Sequence, residues 1–203
     1  MNKTLIAAAV AAAVSAPAMA TPTSHIDGYF LSSGVEFEFD SLGGVDFDDD
    51  GDGFGVKGAL ALSQDFYLTG EYQSAEFDDT EFEFDQFRAG GAIGPGAGDA
   101  DGFFGAVEYV NIDFDDTSPD GEQSGIAGHI GLAIKPAPAI KLYAKGGYVK
   151  LDDLDGPEFL VGANFDFAPN LGVFLDYRIT QFEDEVEDEI TLDDFRVGVL
   201  FRF

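Results

Sequence analysis

A strict alternation of apolar residues with polar or small residues ends the chain, and it constrains the fold more than any other feature. Residues 195–203 read FRVGVLFRF, which places Phe195, Val197, Val199, Phe201 and Phe203 on one face. Successive side chains of a β-strand point to opposite faces, so this segment predicts a strand with one wholly apolar face.

The same alternation recurs along the chain and predicts ten strands, with eight as the alternative. The ten segments are 27–39, 54–62, 66–76, 85–94, 103–112, 126–135, 140–149, 159–167, 171–180 and 194–203. Short turns near 63–65, 94–102, 135–139 and 168–170 alternate with acidic connections at 40–53, 76–85, 113–122, 152–158 and 183–194.

The acidic connections hold 29 of the 39 acidic residues and no Lys or Arg. Short turns at one end and longer polar loops at the other are typical of an all-β, closed antiparallel transmembrane barrel. An even strand count places both chain ends with the short turns, on the periplasmic side.

The composition of the two strand faces favours a membrane barrel over a secreted sandwich or lipocalin-like barrel. A soluble barrel would present Lys, Glu, Thr and Ser to water, whereas here the polar face is mostly Gly and Ala with single charges, as in a crowded lumen. Aromatic residues gather near strand ends, as expected at membrane interfaces. They are Phe66, Phe103, Phe167 and Phe203 at the short-turn end, and Phe39, Phe54, Phe159 and Phe195 at the acidic end.

The N-terminus has the plan of a secretory signal peptide. Lys3 precedes an apolar run over residues 5–14, and residues 18–20, AMA, form a small-x-small cleavage site. The sequence therefore predicts a signal peptide over 1–20 and one barrel domain over 21–203. The chain has no cysteine, so no disulfide can stabilise it.

Several segments resemble the small outer-membrane barrels of the OmpA-like and opacity-porin-like group, above all a ten-stranded branch once described as a quorum-factor family. Residues 53–62, GFGVKGALAL, and 66–72, FYLTGEY, are similar to the second hairpin of these barrels. Residues 85–90, DQFRAG, and 196–203, RVGVLFRF, also fit. The resemblance implies the outer membrane of a Gram-negative bacterium, contact with its lipid and lipopolysaccharide, and no catalytic residues.

Charged residues within the strands share the polar phase and form a candidate luminal network. They are Lys57, Glu71, Arg88, Glu108, Lys145, Asp176, Arg178, Asp194 and Arg196. Arg or Lys facing lipid costs ~2–4 kcal/mol near the bilayer midplane, which favours the inward direction. Two interpretations stand: ion pairs that fill the lumen, or the selectivity lining of a pore. We favour the first, because ~8–10 strands enclose little more than their own side chains.

The acidic connections suggest a weak cation site. Two overlapping segments match the start of a calcium loop, one with Asp46, Asp48 and Asp50 and the other with Asp48, Asp50 and Asp52. Lys57 and Ala59 stand where the bidentate Glu of an EF-hand belongs in the first and the second match. We therefore expect at most weak calcium or magnesium binding at the outer rim, with no other cofactor. A net charge of −29 argues against nucleic acid as a partner.

The sequence thus predicts a structural barrel or a porin-like barrel for small-solute diffusion. The alternative is a surface interaction or adhesion protein whose acidic loops bind divalent cations or external partners. An enzyme is disfavoured, because His25 and His129 are the only histidines and both fall away from the outer rim, where barrel enzymes place their catalytic groups.

Assembly is predicted to depend on the terminal strand, because barrels of this class resemble one another in an aromatic last residue that the barrel-assembly machinery reads. Deleting Phe203 should sharply lower the folded protein in the membrane while export across the inner membrane persists. Heat-modifiable gel mobility measures the folded fraction, and a wild-type yield from the truncated chain would contradict the prediction.

Overall fold

The structure, a computed structural model, describes residues 23–39, 45–78, 83–114, 121–183 and 189–203, and the predicted signal peptide lies outside them. Ten strands follow one another as a closed antiparallel barrel. They are β1 His25–Phe39, β2 Val45–Ala61, β3 Phe66–Phe77, β4 Glu83–Ile93, β5 Gly102–Phe114, β6 Glu122–Ala137, β7 Ile140–Lys150, β8 Asp155–Ala168, β9 Leu171–Glu183 and β10 Glu189–Arg202. The ten-stranded prediction is confirmed, and the eight-stranded alternative is wrong.

The barrel closes where β1 pairs with β10, in a register that runs from His25 opposite Arg202 to Glu38 opposite Glu189. Two backbone hydrogen bonds between Ser24 and Phe203, of 3.2 and 3.0 Å, extend this pairing beyond the strands. Ser24, near the start of the described residues, and Phe203 therefore both lie with the short turns, as predicted. One short turn contains a 3₁₀ helix, Pro95–Ala97.

The strands reach further into the acidic segments than the sequence predicted. β2 begins at Val45 rather than Phe54, and residues 45–50 pair with residues 34–39 of β1. β8 likewise begins at Asp155, and β10 at Glu189. Asp and Gly are rare in strands, so composition favoured loops here, but pairing with a neighbouring strand overrides that weak preference.

The outer face of the barrel is apolar. Ile130, Phe30 and Phe103 are exposed by 78%, 76% and 76%, values that indicate contact with lipid rather than water. Exposed aromatic residues form one belt towards the acidic end and another towards the short turns. The first contains Phe30, Phe54, Tyr109, Tyr148, Phe159, Tyr177 and Phe195, and the second Phe66, Phe103, Phe167 and Phe201. Among the described residues, no helix is long and apolar enough to cross a membrane.

The lumen is apolar towards the acidic end and charged in its middle. We call the apolar part the outer apolar cluster, and it contains Leu31, Val35, Phe77, Phe84, Val110, Ile112, Val149, Leu151, Leu154, Phe182 and Leu192. Val110, Ile112 and Val149 have no exposed surface. The cluster therefore packs as a protein core does, inside the barrel wall.

The outer apolar cluster should contribute more stability than the lipid-facing surface. Ile112→Ala removes a fully buried side chain and should lower the free energy of unfolding by about 2–5 kcal/mol, because it leaves a cavity. Ile126→Ala is the matched control, since Ile126 faces lipid at 62% exposure and lipid fills the space. Urea titration of both refolded variants in vesicles tests this, and equal midpoints would contradict it.

Candidate functional site: the charged lumen

All nine charged residues predicted to line the lumen project into it. Arg88, Arg196 and Asp176 are each 1% exposed, and Arg178 and Asp194 are 2% and 6% exposed. Lys57, Glu71, Glu108 and Lys145 are also mostly buried, with side-chain exposures of 17%, 14%, 12% and 15%. Each of these residues lies at a strand position whose side chain points inward, so charges that are distant in sequence meet across the narrow lumen.

Arg196 links two carboxylates in the first part of the network. Its Nε donates to Oδ1 of Asp176 at 2.5 Å, and its Nη1 donates to Glu71. The second oxygen of Asp176 accepts from Lys57 Nζ at 2.6 Å and from the Tyr143 hydroxyl at 3.0 Å. Asp176 therefore has both oxygens paired.

Arg178 forms the second part with Asp194. The Arg178 Nε and Nη2 donate to Oδ2 of Asp194 at 3.0 and 2.6 Å, and Nη2 also donates to Oε1 of Gln73 at 2.7 Å. Asp194 accepts further hydrogen bonds from the Ser33 hydroxyl at 2.5 Å and from Gln73 Nε2 at 3.1 Å. Glu71 lies 3.5 Å from Arg178 Nη1, which joins this part to the first.

The third part centres on Glu158, which is fully buried. Arg88 donates to both of its carboxylate oxygens, through Nη1 at 2.8 Å and through Nη2. The Thr180 hydroxyl donates to it at 3.1 Å, and His129 Nε2 lies 2.9 Å from its Oε1. A two-point contact between guanidinium and carboxylate is among the strongest polar contacts in proteins.

Lys145 connects Glu158 to Glu108, with its Nζ 3.6 Å from each carboxylate. Within the described residues, the middle of the lumen therefore brings together five basic and five acidic side chains that contact one another. They are Lys57, Arg88, Lys145, Arg178 and Arg196 with Glu71, Glu108, Glu158, Asp176 and Asp194. The central lumen is thus close to neutral.

A smaller set of contacts closes the short-turn end of the lumen. The turn between β4 and β5 folds inward, and buried Lys141 donates to the carbonyls of Gly96, at 3.2 Å, and Gly98. Lys135 pairs with Asp99 at 2.9 Å, and Arg202 pairs with Asp166. The sequence had no strand signal for this turn, and its inward fold was not predicted.

Sequence reasoning placed Glu158 in an acidic connection, and that placement is wrong. Glu158 belongs to β8 and lies in the inward phase two residues before Leu160. Leu160 and Gly162 alternate with outward residues, and the same alternation extended back by two residues predicts that Glu158 also points inward. Asp48, Asp50 and Asp52 were likewise expected in a loop, but they lie on the outward face of β2, and the side chain of Asp46 is outside the described set.

A single strand cannot bring its carboxylates together around one ion in the way that a calcium loop does. Alternate residues of a strand are ~7 Å apart, so their carboxylates do not converge on one ion without neighbouring strands. Among the described residues, no group of three or more His, Cys, Asp or Glu side chains is arranged to hold a metal ion.

The family model of the outer membrane protein β-barrel domain matches residues 6–203 of the sequence. The chain belongs to this family. No curated protein matches the sequence. The family implies the outer membrane of a Gram-negative bacterium. Barrels of this class have short periplasmic turns and longer extracellular loops, so we expect the acidic end outside the cell.

Solved outer-membrane proteins are similar to the chain at low sequence identity. An outer-membrane channel from Pseudomonas putida F1 has a TM-score of 0.53 and 9% identity, over 92% of this chain and 97% of that one. The translocator domain of an autotransporter from Neisseria meningitidis has a TM-score of 0.49 and 13% identity, over 98% and 95%. Neisserial surface protein A has a TM-score of 0.46 and 12% identity, over 90% and 100%.

The terminal strand presents its apolar face to lipid. Phe195, Val197, Val199 and Phe201 are exposed by 49%, 48%, 52% and 43%. Phe203 is partly exposed just beyond the end of β10. Its role in assembly stays a prediction.

Removing one member of the Arg88–Glu158 pair should destabilise the barrel. Arg88→Met leaves a buried carboxylate without its main partner, and such a change costs ~3–5 kcal/mol. Lys150→Met is the control, because Lys150 is an exposed cation whose single ion pair is worth little. The measurement is the urea midpoint of refolded protein, and a midpoint for Arg88→Met equal to that of the control would contradict the prediction.

Proposed function

We propose that the chain is a closed structural barrel that anchors an acidic surface in the outer membrane, rather than a diffusion pore. The observation that carries this proposal is the burial of the central charges, since Arg88, Glu158, Asp176 and Arg196 are at most 1% exposed. A diffusion pore needs a water-lined path, and these side chains are hydrogen-bonded to one another instead. The outer apolar cluster adds a second, dry barrier towards the cell exterior.

Single-channel recording on refolded protein in planar bilayers tests the proposal. The wild-type barrel should give no steady conductance after insertion, which protease protection in the same lipid verifies. A stable ohmic current from inserted wild-type protein would reject the structural role and favour small-solute diffusion.

We propose as a second candidate that the acidic rim binds divalent cations and, through them, external surfaces. One observation favours this beyond the acidic composition. A Cβ at Gly34 would lie 2.6 Å from Oδ1 of Asp193 and 3.5 Å from Oδ1 of Asp50, so carboxylates from β10 and β2 approach each other over a residue without a side chain. Like charges this close repel, and calcium or magnesium would relieve the repulsion.

Calorimetric titration with calcium distinguishes the second candidate. We expect weak binding in the ~10⁻⁴–10⁻³ M range, which should be lost when Asp48, Asp50, Asp52 and Asp193 are changed to Asn. Asp65→Asn, in a periplasmic turn, is the control and should bind as the wild type does. The absence of heat at about 5–10 mM calcium, well above that range, would leave the rim as a solvated surface.

Catalysis is not part of the proposal. Buried His129 lies among Glu158, Glu108 and Lys145 inside the lumen, where it supports the polar network rather than facing a substrate. His25 lies at the periplasmic end of β1, away from the outer rim.

A further inference from the structure

Lys150 points in a different direction from the other described cations of the barrel. Among the described residues, the remaining Lys and Arg side chains point into the lumen or close its periplasmic mouth. Lys150 instead lies on the outward face at the outer end of β7, and it is 74% exposed. An outward cation at this height meets the headgroups of the outer leaflet.

An apolar groove lies below Lys150 on the same outer wall. Ala144 and Gly146 of β7 form its floor, and Ile130 of β6 with Phe159 and Val161 of β8 form its sides, around a volume of 460 Å³. The groove exists because β7 carries no large side chain at these two positions, while Ile130 is 78% exposed and stands above the surface.

The height of the groove places it in the outer leaflet. Gly146 pairs with Phe159, a member of the outer aromatic belt. Tyr148 and Lys150 follow Gly146 on the same face of β7, so the Lys150 position is ~13 Å further along the strand. The order along this wall is an apolar groove, an interfacial tyrosine and then a cation.

That order matches the depth profile of an anionic lipid. An acyl chain would lie in the groove, the sugar or ester region would pack against Tyr148, and a phosphate would meet Lys150. Asp155 already contacts both outer residues, because it accepts a hydrogen bond from Tyr148 and lies 3.7 Å from Lys150 Nζ. An exposed ion pair of this kind is weak, so Lys150 remains available to a phosphate.

We propose that the outer wall formed by β6, β7 and β8 is a binding site for one lipopolysaccharide molecule, with an acyl chain in the groove and a lipid A phosphate on Lys150. The order of groove, tyrosine and cation favours a lipid over a second copy of the chain. Both occupants bring negative charge towards the acidic rim, but a lipid brings a phosphate beside Lys150, whereas a second copy would bring a whole acidic rim and be repelled more strongly.

Native mass spectrometry of the refolded protein, titrated with lipopolysaccharide in detergent, tests this site. Gly146→Leu fills the groove and should weaken binding of the first lipid at least about threefold, because the acyl chain loses its packing contacts. Gly28→Leu is the control, because Gly28 lies on β1 and three strands separate β1 from β7. Gly28 faces lipid with nothing within 4 Å of a Cβ at that position, so this variant should bind as the wild type does.

Lipids with and without phosphates distinguish the contribution of Lys150 from that of the groove. Lys150→Gln should weaken binding of lipopolysaccharide about twofold to fivefold, and it should not change binding of the same lipid after its phosphates are removed. Gly146→Leu should weaken both. Heat-modifiable mobility verifies that every variant is folded.

Three results would overturn the proposal. One is equal binding by the Gly146→Leu and Gly28→Leu variants. Another is phosphatidylethanolamine competing equally with lipopolysaccharide, which would reduce the groove to unspecific lipid contact. The third is a protein dimer that Gly146→Leu abolishes, which would assign the groove to a second copy of the chain.

Discussion

The structure depends on ion pairs between oppositely charged side chains that are buried in the lumen. A cation facing the bilayer would cost ~2–4 kcal/mol, so the Lys and Arg residues of the membrane-spanning strands turn inward. A narrow lumen offers them little water, and an unpaired buried charge would cost more still. The pairs Arg88 with Glu158, Arg178 with Asp194, and Arg196 with Asp176 and Glu71 solve both problems. Two of them, Arg88–Glu158 and Arg196–Glu71, also join strands that are far apart in sequence.

This pairing also explains where the net charge of the protein appears. Because most basic residues pair with acidic side chains inside the barrel and at its short-turn mouth, the large acidic surplus is left for the outer end. The same barrel therefore has a nearly neutral interior, an apolar wall and an anionic exterior. Among the described strand residues, Lys150 is the one cation that points outward, which is why its position on the outer wall points to a role at the lipid surface.

Much of this architecture could be predicted from sequence, because a period of two residues is directly visible. The ten strands, the inward phase of nine charged residues and the periplasmic chain ends all follow from it. The strand ends could not be predicted, because Asp48 and Asp50 look like loop residues until β1 is known to pair with them. Glu158, in contrast, could have been predicted, because the alternation of β8 extends back from Leu160 into the acidic segment. Partners across the lumen, such as Lys57 with Asp176, depend on barrel closure and register, which the pattern of one strand does not contain.

A double-mutant cycle across the lumen tests the central claim most directly. The free energies of unfolding of the wild type, Arg88→Met, Glu158→Leu and the double variant give the coupling between the two side chains. The two-point contact inside a dry lumen predicts a coupling of about 3 kcal/mol or more, within the range for breaking a buried pair, and a double variant at least as stable as either single variant. Additive single effects, within about 0.5 kcal/mol, would show that the two charges do not depend on each other and would contradict the account.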